Sequence, residues 1–334
     1  MIHTSLRAAK CGLVGLTMAC VAQVASAQEQ LKLTLNWAVG PYHEAFFLAQ
    51  EKGYYADAGL EVQIEPGRGS SATSQLVASG QTDIGMAGAV SAFDLVAKGA
   101  PIQIVMAIRQ DDGYALMVRP DSGINSPKDL EGRKIALQPG GIQVPLFDAM
   151  IAVNEVDKSK VEVISVDASA LLNLYADDQI DAYITIPGFE QPKLNERGLK
   201  AKFVYLRDYG VPILGHSLVV NRQILEERPD AVRGFLAATL RAFSEATHNP
   251  GIAVDALLAK HPEAGKKDDI LFTVQDAVQS TYCAPEAPGL GWPSQAILDE
   301  SYGVMTGFMN LPDNRPISDY ITREFLPAEL PACP

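Results

Sequence analysis

The sequence predicts an α/β protein of two lobes joined by two hinge crossings, and three observations carry that prediction. Strand-like and helix-like stretches alternate from Leu31 to Leu206, the same order of elements occurs twice, and the chain beyond Pro229 is helical throughout. Leu31, Leu33 and Leu35 alternate with Lys32 and Thr34, the period of two that marks a strand. The chain breaks at Gly40-Pro41 and resumes as the apolar run Ala45-Phe46-Phe47-Leu48-Ala49, a helix ending near Gly53. Leu60, Val62 and Ile64 make a second strand, and Pro66 to Ser71 is a glycine-rich turn into a helix that stops at Gly80. A short third strand, Asp83 to Gly88, ends in glycine. These strand ends converge on one sheet edge, and in open α/β sheets that edge is where ligands bind.

Strands at Ile102–Met106 and Ala115–Val118 come next, separated by the polar break Arg109 to Tyr114. Ser126-Pro127-Lys128-Asp129-Leu130 has the order of an N-cap, a proline and a short helix. The strand Ile135–Leu137 then turns through Gln138-Pro139-Gly140-Gly141 into a helix, Val144–Val153. A strand at Val161–Val166, a helix at Ala168–Ala176 and a strand at Ile180–Ile184 complete the echo of the first unit, down to an aspartate (Asp83, Asp181) leading into its last strand. Val204–Leu206 is a further strand and Val211–Val220 leads onward. Helices are expected at Pro229–Thr247, Ile252–Lys260, Lys267–Tyr282 and Pro293–Met309. Alternating strands and helices favour parallel sheets covered on both faces. Crossings are placed near Asp111–Tyr114 and Val211–Gly215, giving one lobe from 28–112 and 214–334 and another from 113–213.

The runs EKGYYADAGLEVQI (Glu51–Ile64) and GSSATSQLVASGQTDIGMAG (Gly69–Gly88) resemble the periplasmic binding proteins of ABC importers. The branch they resemble serves nitrate, taurine, alkanesulfonates and thiamine-pyrimidine precursors, and includes the fungal thiamine-pyrimidine synthases. The resemblance implies the bilobal periplasmic-binding-protein fold, a small ligand held between lobes that close by a hinge, and as partner an inner-membrane ABC permease with its ATPase.

The first 27 residues read as a signal peptide. Arg7 and Lys10 form a basic start, Cys11–Ala22 is an apolar core, and Ala25-Ser26-Ala27 fits a cleavage site. Export to the periplasm is the expectation. Thr17-Met18-Ala19 ahead of Cys20 matches a lipoprotein box poorly, so lipid anchoring is not expected. The whole chain carries 27 basic and 40 acidic side chains, a net charge of −13; losing Arg7 and Lys10 makes that −15. Such a balance excludes nucleic acid as a partner, a local basic patch aside. A monomer is expected. Cys283 and Cys333 are the cysteines left after cleavage, and an oxidising compartment invites one disulfide between them.

Three groups are candidates for ligand contact. Asn36, Trp37, Tyr42 and His43 lie on the loop after the first strand, where a flat indole with amide and imidazole neighbours suits a planar heterocycle. In the precursor-binding branch an aromatic and a histidine occupy similar places. Ser70 and Ser71 open one helix beside Gly88, and Gln138, Gly140 and Gly141 open another, with Tyr114 at the crossing between them. Free backbone N–H groups at such helix starts attract anions or carbonyl oxygens, although ordinary capping needs the same residues. Tyr183 and Thr185 share a strand face leading to Glu190, a segment that resembles the branch's aromatic and glycine-containing run ending in glutamate. The resemblance gives that glutamate an aminopyrimidine or ammonium group to pair with, but Pro187 and Phe189 stand where other aromatics are expected.

No G-x-S-x-G, H-E-x-x-H or C-x-x-C occurs, and no Lys-Ser/Thr comes after the glycines at phosphate-loop spacing. The synthases' cysteine-rich motif is also missing. The expectation is therefore a protein that is not an enzyme, with no catalytic residue, metal or cofactor. Its expected ligand is a planar heterocycle such as a thiamine-pyrimidine precursor. The rival ligand is an organic anion, with Arg68 and Arg109 near loop positions that could pair with it. A synthase on the same fold is the alternative of a different class.

Overall fold

The computed structural model describes residues 1–2, 28–284 and 286–334. The expected signal peptide, from residue 3 on, and the question of Cys20 therefore lie outside the described residues. The first unit runs β1 (Glu29–Thr34), α1 (Glu44–Glu51), the single turn α2 (Tyr54–Asp57), β2 (Leu60–Glu65), α3 (Ser70–Ala78), β3 (Ile84–Gly88), α4 (Ala89–Ala97) and β4 (Ile102–Ala107). The second holds β5 (Ala115–Val118), β6 (Lys134–Leu137), α5 (Gln143–Val153), β7 (Glu162–Ser165), α6 (Ala168–Ala176), β8 (Ala182–Thr185), α7 (Pro187–Glu196) and β9 (Lys202–Tyr205). The chain returns through β10 (His216–Asn221) and ends in α8 (Arg222–Glu227), α9 (Pro229–His248), α10 (Pro250–Lys260), α11 (Lys267–Ser280) and α12 (Gln295–Phe308).

Two five-stranded sheets result, ordered β2-β1-β3-β10-β4 and β7-β6-β8-β5-β9. They are not the parallel sheets that alternation favours. β1, β2 and β3 are parallel to one another, as are β6, β7 and β8, but β10 runs against β3 and β4, and β5 runs against β8 and β9. The crossings explain the reversal. Each takes the chain from a strand ending at the cleft (β4, β9) into one that begins there (β5, β10), so the entering strand must run away from the cleft.

The paired aspartates have a physical basis. Asp83 Oδ2 accepts the backbone N–H of Lys32 at 2.7 Å, and Asp181 Oδ2 accepts that of Lys134 at 2.8 Å. Each also faces an arginine, Arg228 for Asp83 at 3.0 Å and Arg119 for Asp181 at 3.5 Å. Both sheets thus fasten the start of a central strand in the same way.

Three helices escape the periodicity reading. α4 begins directly after β3 without a loop, because Gly88 itself is the N-cap. α7 opens with Pro187 at its first position and carries Pro192 inside, residues that read as breakers. α8 is a short helix capped by Asn221, whose side chain accepts from Gln223 N–H. A fourth, α12, starts two residues later than expected, because Ser294 Oγ accepts the Ile297 N–H at 3.3 Å and leaves Pro293 outside.

Packing ties the helical tail to both sheets. α9 buries Val232, Phe235, Leu236, Leu240 and Phe243 against α1 and α2, with Tyr55 stacked on Phe235 at 5.3 Å between ring centres. α11 packs on α7 and α12 on α5, so the two last helices both touch the second unit. One apolar core accordingly joins Ala87, Phe93 and Ile104 to Leu116, Leu146 and Leu298.

Both crossings are buried and fully engaged. Arg109, Gln110, Asp111 and Asp112 are 0%, 0%, 3% and 7% exposed, so the polar break in the sequence is interior. Arg109 donates from Nε to Thr281 Oγ1 at 3.2 Å and from Nη1 to Asp112 Oδ1 at 3.3 Å, and from Nη2 to the Asp112 carbonyl. Asp111 accepts from the N–H groups of Gly113 at 2.6 Å and Ile213 at 3.3 Å, and pairs with Arg207 at 3.4 Å. Gly215 has no room for a side chain, since a Cβ there would meet Arg109 O and Asp112 Oδ1 at 2.8 Å. Arg109 therefore does not face a ligand, as the anion reading had it; it welds the crossings.

Cys283 and Cys333 form a disulfide, Cα to Cα 5.8 Å, across 50 residues. Two stability outcomes are expected from these features. Reducing the disulfide should remove about 2–4 kcal/mol and lower the melting temperature, and a melting temperature unmoved by dithiothreitol would refute it. Arg109→Leu leaves Asp112 buried beside an unpaired site and should cost about 3–5 kcal/mol in urea unfolding; a loss under about 1 kcal/mol would show the pair to be dispensable.

Candidate functional site

The strand ends of both sheets face one cavity of about 650 Å³. Ser70 reaches it from the start of α3, Gly88 to Ser91 from β3 and α4, Asp112 and Tyr114 from the first crossing, and His216 from the second. Gly140, Gly141 and Ile142 come from the turn into α5, whose Val144, Pro145 and Asp148 continue the wall, and Phe308, Met309 and Asn310 close the far end. Among the described residues, no lysine or arginine lines it.

A chain of hydrogen bonds runs under the floor. Gly40 N–H donates to His43 Nδ1 at 3.1 Å, which leaves the His43 proton on Nε2, 2.8 Å from Asn36 Oδ1. The Asn36 amide then donates to His216 Nε2 at 3.0 Å. That fixes the His216 proton on Nδ1, which lies 3.3 Å from Asp112 Oδ1 but lacks the alignment of a hydrogen bond. Burial, with His216 nearby, pushes His43 down to about 3, so it is neutral. Burial works against the Asp112 carboxylate, but His216 and Arg109 outweigh it and hold Asp112 below its ordinary value. The floor of the cavity is thus a carboxylate with an imidazole beside it.

The expected site residues divide into three groups. Ser70, Gly88, Tyr114, Gly140 and Gly141 line the cavity, and Ser70 Oγ also accepts the Gly88 N–H at 2.9 Å. Asn36 and His43 stand behind it and act through His216. Trp37, Tyr42, Ser71, Gln138, Tyr183, Thr185 and Glu190 are elsewhere. Trp37 is 60% exposed on the surface beside Gly69. Ser71 is exposed and meets Ser91 at 3.3 Å, while Gln138 spends its carbonyl on the Gly141 N–H at 3.2 Å. Glu190 is saturated within its own unit, accepting from Tyr183 Oη at 3.1 Å, Thr185 Oγ1 at 3.4 Å and Lys193 Nζ at 3.0 Å.

Tyr42 spans the two units. It holds φ at +72°, an uncommon conformation for a bulky residue, with its ring under the Arg109 guanidinium at 4.5 Å and edge-on to Phe189 at 5.3 Å. Its hydroxyl is buried without a partner, and burial pushes it up to about 12. Gly188 makes room for that hydroxyl, since a Cβ would stand 3.0 Å from it. Nearby in the chain, Glu44 is fully buried; Tyr282 donates to its Oε1 at 2.8 Å and its Oε2 has no partner.

Asp112 and His216 are floor residues of the cavity that sequence reasoning passed over. Asp112 lies within the first expected crossing and His216 directly after the second, and a polar residue at the point where two lobes meet is the signal that could have found them. Among the described residues, no cluster of three or more His, Cys, Asp or Glu is placed to hold a metal.

A family model described as NMT1/THI5 like matches residues 40–253. A relative from Legionella pneumophila, 24% identical over 245 residues, is named 4-amino-5-hydroxymethyl-2-methylpyrimidine phosphate synthase; the match covers 72% of this chain and 76% of the relative. A formylaminopyrimidine-binding protein from Halalkalibacterium halodurans is also 24% identical, over 71% of this chain and 72% of its own. In structure the chain is similar to the periplasmic aliphatic sulphonate-binding protein of Escherichia coli, with a TM-score of 0.67, 14% identity, and coverage of 90% of this chain and 94% of that one. The bilobal periplasmic-binding-protein fold is thereby shown. The expectation that the chain is not an enzyme is overturned by the Legionella relative, which is named for an enzyme. The G-x-S-x-G, H-E-x-x-H and C-x-x-C motifs mark hydrolytic, metalloprotease and thiol chemistry, so their absence had no bearing on other reactions.

Burial raises Glu44 to about 6, against the Tyr282 hydrogen bond. A carboxyl whose folded value lies above its unfolded one costs nothing below pH ~4.5 and its full amount above pH ~6. Relative to the parent, Glu44→Gln should therefore gain roughly 2 kcal/mol of stability as pH rises from about 4 to about 7.5. Urea titrations at the two pH values measure it, and a difference that does not change with pH would show that Glu44 titrates normally.

Proposed function

The chain belongs to the NMT1/THI5-like family, and we propose that it captures a small planar nitrogen heterocycle of the aminopyrimidine class between its two lobes. One observation carries the reading. The inter-lobe cavity has the Asp112 carboxylate in its floor beside the His216 ring, the Asp148 carboxylate, paired with Lys158, on its wall, and no lysine or arginine lining it among the described residues. Such a lining accepts hydrogen bonds from ring N–H and amino groups, whereas a sulfonate or nitrate would meet carboxylates. The formylaminopyrimidine-binding and pyrimidine-synthase relatives support the same ligand class.

In this reading residues 28–112 with 214–334 form one lobe, 113–213 the other, and residues 1–27 direct export. The protein then delivers its ligand in the periplasm to the permease of an ABC importer. Ser70, Tyr114, Gly140 and Gly141 contact the ring, with Asp112 and His216 below it; Asn36 and His43 hold the His216 tautomer. Trp37 stays at the rim.

The synthase relatives favour a second reading, in which the cleft turns over its ligand. There the groups able to hold or move a proton beside the ring are His216 and Asp112. Mass spectrometry of the small molecules released by denaturation separates the two readings when combined with incubation of fresh protein with the released compound: recovery unchanged supports capture, and a new mass supports turnover.

His216→Ala removes the ring that holds the Asp112 carboxylate in place beside the cavity and should weaken binding of a 4-aminopyrimidine at least fivefold, about 1 kcal/mol. Trp37→Ala should change it less than about twofold. Calorimetric titration of both variants checks this, and the reverse ranking would move the ring from the Asp112–His216 floor to the rim.

A further inference from the structure

Resting on the reading above, we infer that the ligand carries an apolar arm, for which the cavity holds a second subsite separate from the ring's. The cavity is one continuous space, yet its two ends differ in chemistry. The end at the crossings is polar, with Ser70, Asp112, Tyr114 and His216. From there the space extends along α5 past Gly141, Val144, Pro145 and Asp148, residues three and four apart and so on one helix face. It ends against Phe308 and Met309, where α12 stops, with Val90 of α4 nearby.

Helix packing puts that apolar end in place. α12 lies on α5, and its last turn brings Phe308 and Met309 to the stripe of Val144 and Pro145. Val144, Pro145, Phe308 and Met309 are each only partly buried, so an occupant would cover apolar surface still in contact with solvent. At about 650 Å³ the cavity falls in the range of ~300–1,000 Å³ that encloses drug-sized molecules, more than one six-membered ring fills. Asp148 does not turn this end into a cation site, because Lys158 Nζ pairs with its Oδ1 at 2.6 Å. The occupant is therefore a hydrocarbon-like arm reaching from the ring along α5 toward Phe308 and Met309, where the exposed Asn310 borders the end of the cavity.

The test is a series of 4-amino-2-methylpyrimidines carrying methyl, ethyl, propyl, butyl and hexyl groups at position 5, titrated calorimetrically into the full-length mature protein. Affinity should rise about fourfold for each methylene buried, giving roughly sixtyfold from methyl to butyl. In Val144→Phe, which fills the subsite, the butyl-to-methyl affinity ratio should fall toward one. In Phe308→Ala, which lengthens it, the hexyl compound should gain over butyl. A methyl compound that binds while the series stays flat would overturn the arm subsite and leave the ring site standing. A rising series whose ratio survives Val144→Phe in a protein of unchanged melting temperature would place the arm elsewhere and also overturn it. If no member binds, the aminopyrimidine reading fails and takes this inference with it.

Discussion

A guanidinium with no access to water holds the centre of this molecule. Arg109 bonds to Asp112 and Thr281 and lies over the Tyr42 ring, so it touches the first crossing, the end of α11 and the loop after β1 at once. A buried charge is tolerated only when its partners are in place, and losing one leaves the others stranded. Asp112 lies beside His216, which accepts from the Asn36 amide, and Asn36 in turn accepts from His43. The cavity floor is thus an outgrowth of the hinge.

That dependence also gives the site its sign. The same carboxylate is offered inward to Arg109 and outward to the cavity. A cleft built on this floor presents acceptors, and its remaining walls are hydroxyls, glycines and apolar side chains with the Asp148 carboxylate and the Asn310 amide among them. The sheets contribute position more than chemistry. Because both repeat one topology, and both fasten a strand start through an aspartate, their ligand-bearing edges meet across the crossings.

Much of this was legible in the sequence. Local periodicity marked β1, β2, α5 and α6 to within a few residues, because each has one face in a core and one outside it. Strand direction was not legible, since it depends on where the chain re-enters a sheet after crossing. Ser70, Gly88, Gly140 and Gly141 were legible as cavity-lining positions because they sit in glycine-bearing turns or strand ends, and Tyr114 because it lies at a crossing. Asp112 and His216 could not be found by type, as an aspartate in a polar break and an isolated histidine read as surface residues. Arg109 misled for the same reason: sequence cannot tell a loop that is solvated from one that is buried and internally paired. Glu190 shows the converse, a carboxylate whose partners Tyr183 and Lys193 satisfy it before any ligand arrives.

The position of the disulfide has a consequence for the order in which the protein is made. Gln110, in the first crossing, accepts the Ala284 N–H at 2.8 Å and donates to Gly289 O at 2.7 Å. Leu290 N–H in turn donates to Pro331 O at 2.9 Å, beside the cystine that ties Cys283 to Cys333. A segment near residue 110 is therefore completed by the last few residues of the chain. Either half of the molecule can gather its own sheet as it emerges during synthesis, but the joint between them has to wait for the C-terminus. Until then Gln110 lacks the partners that Ala284 and Gly289 supply, and the cystine cannot close.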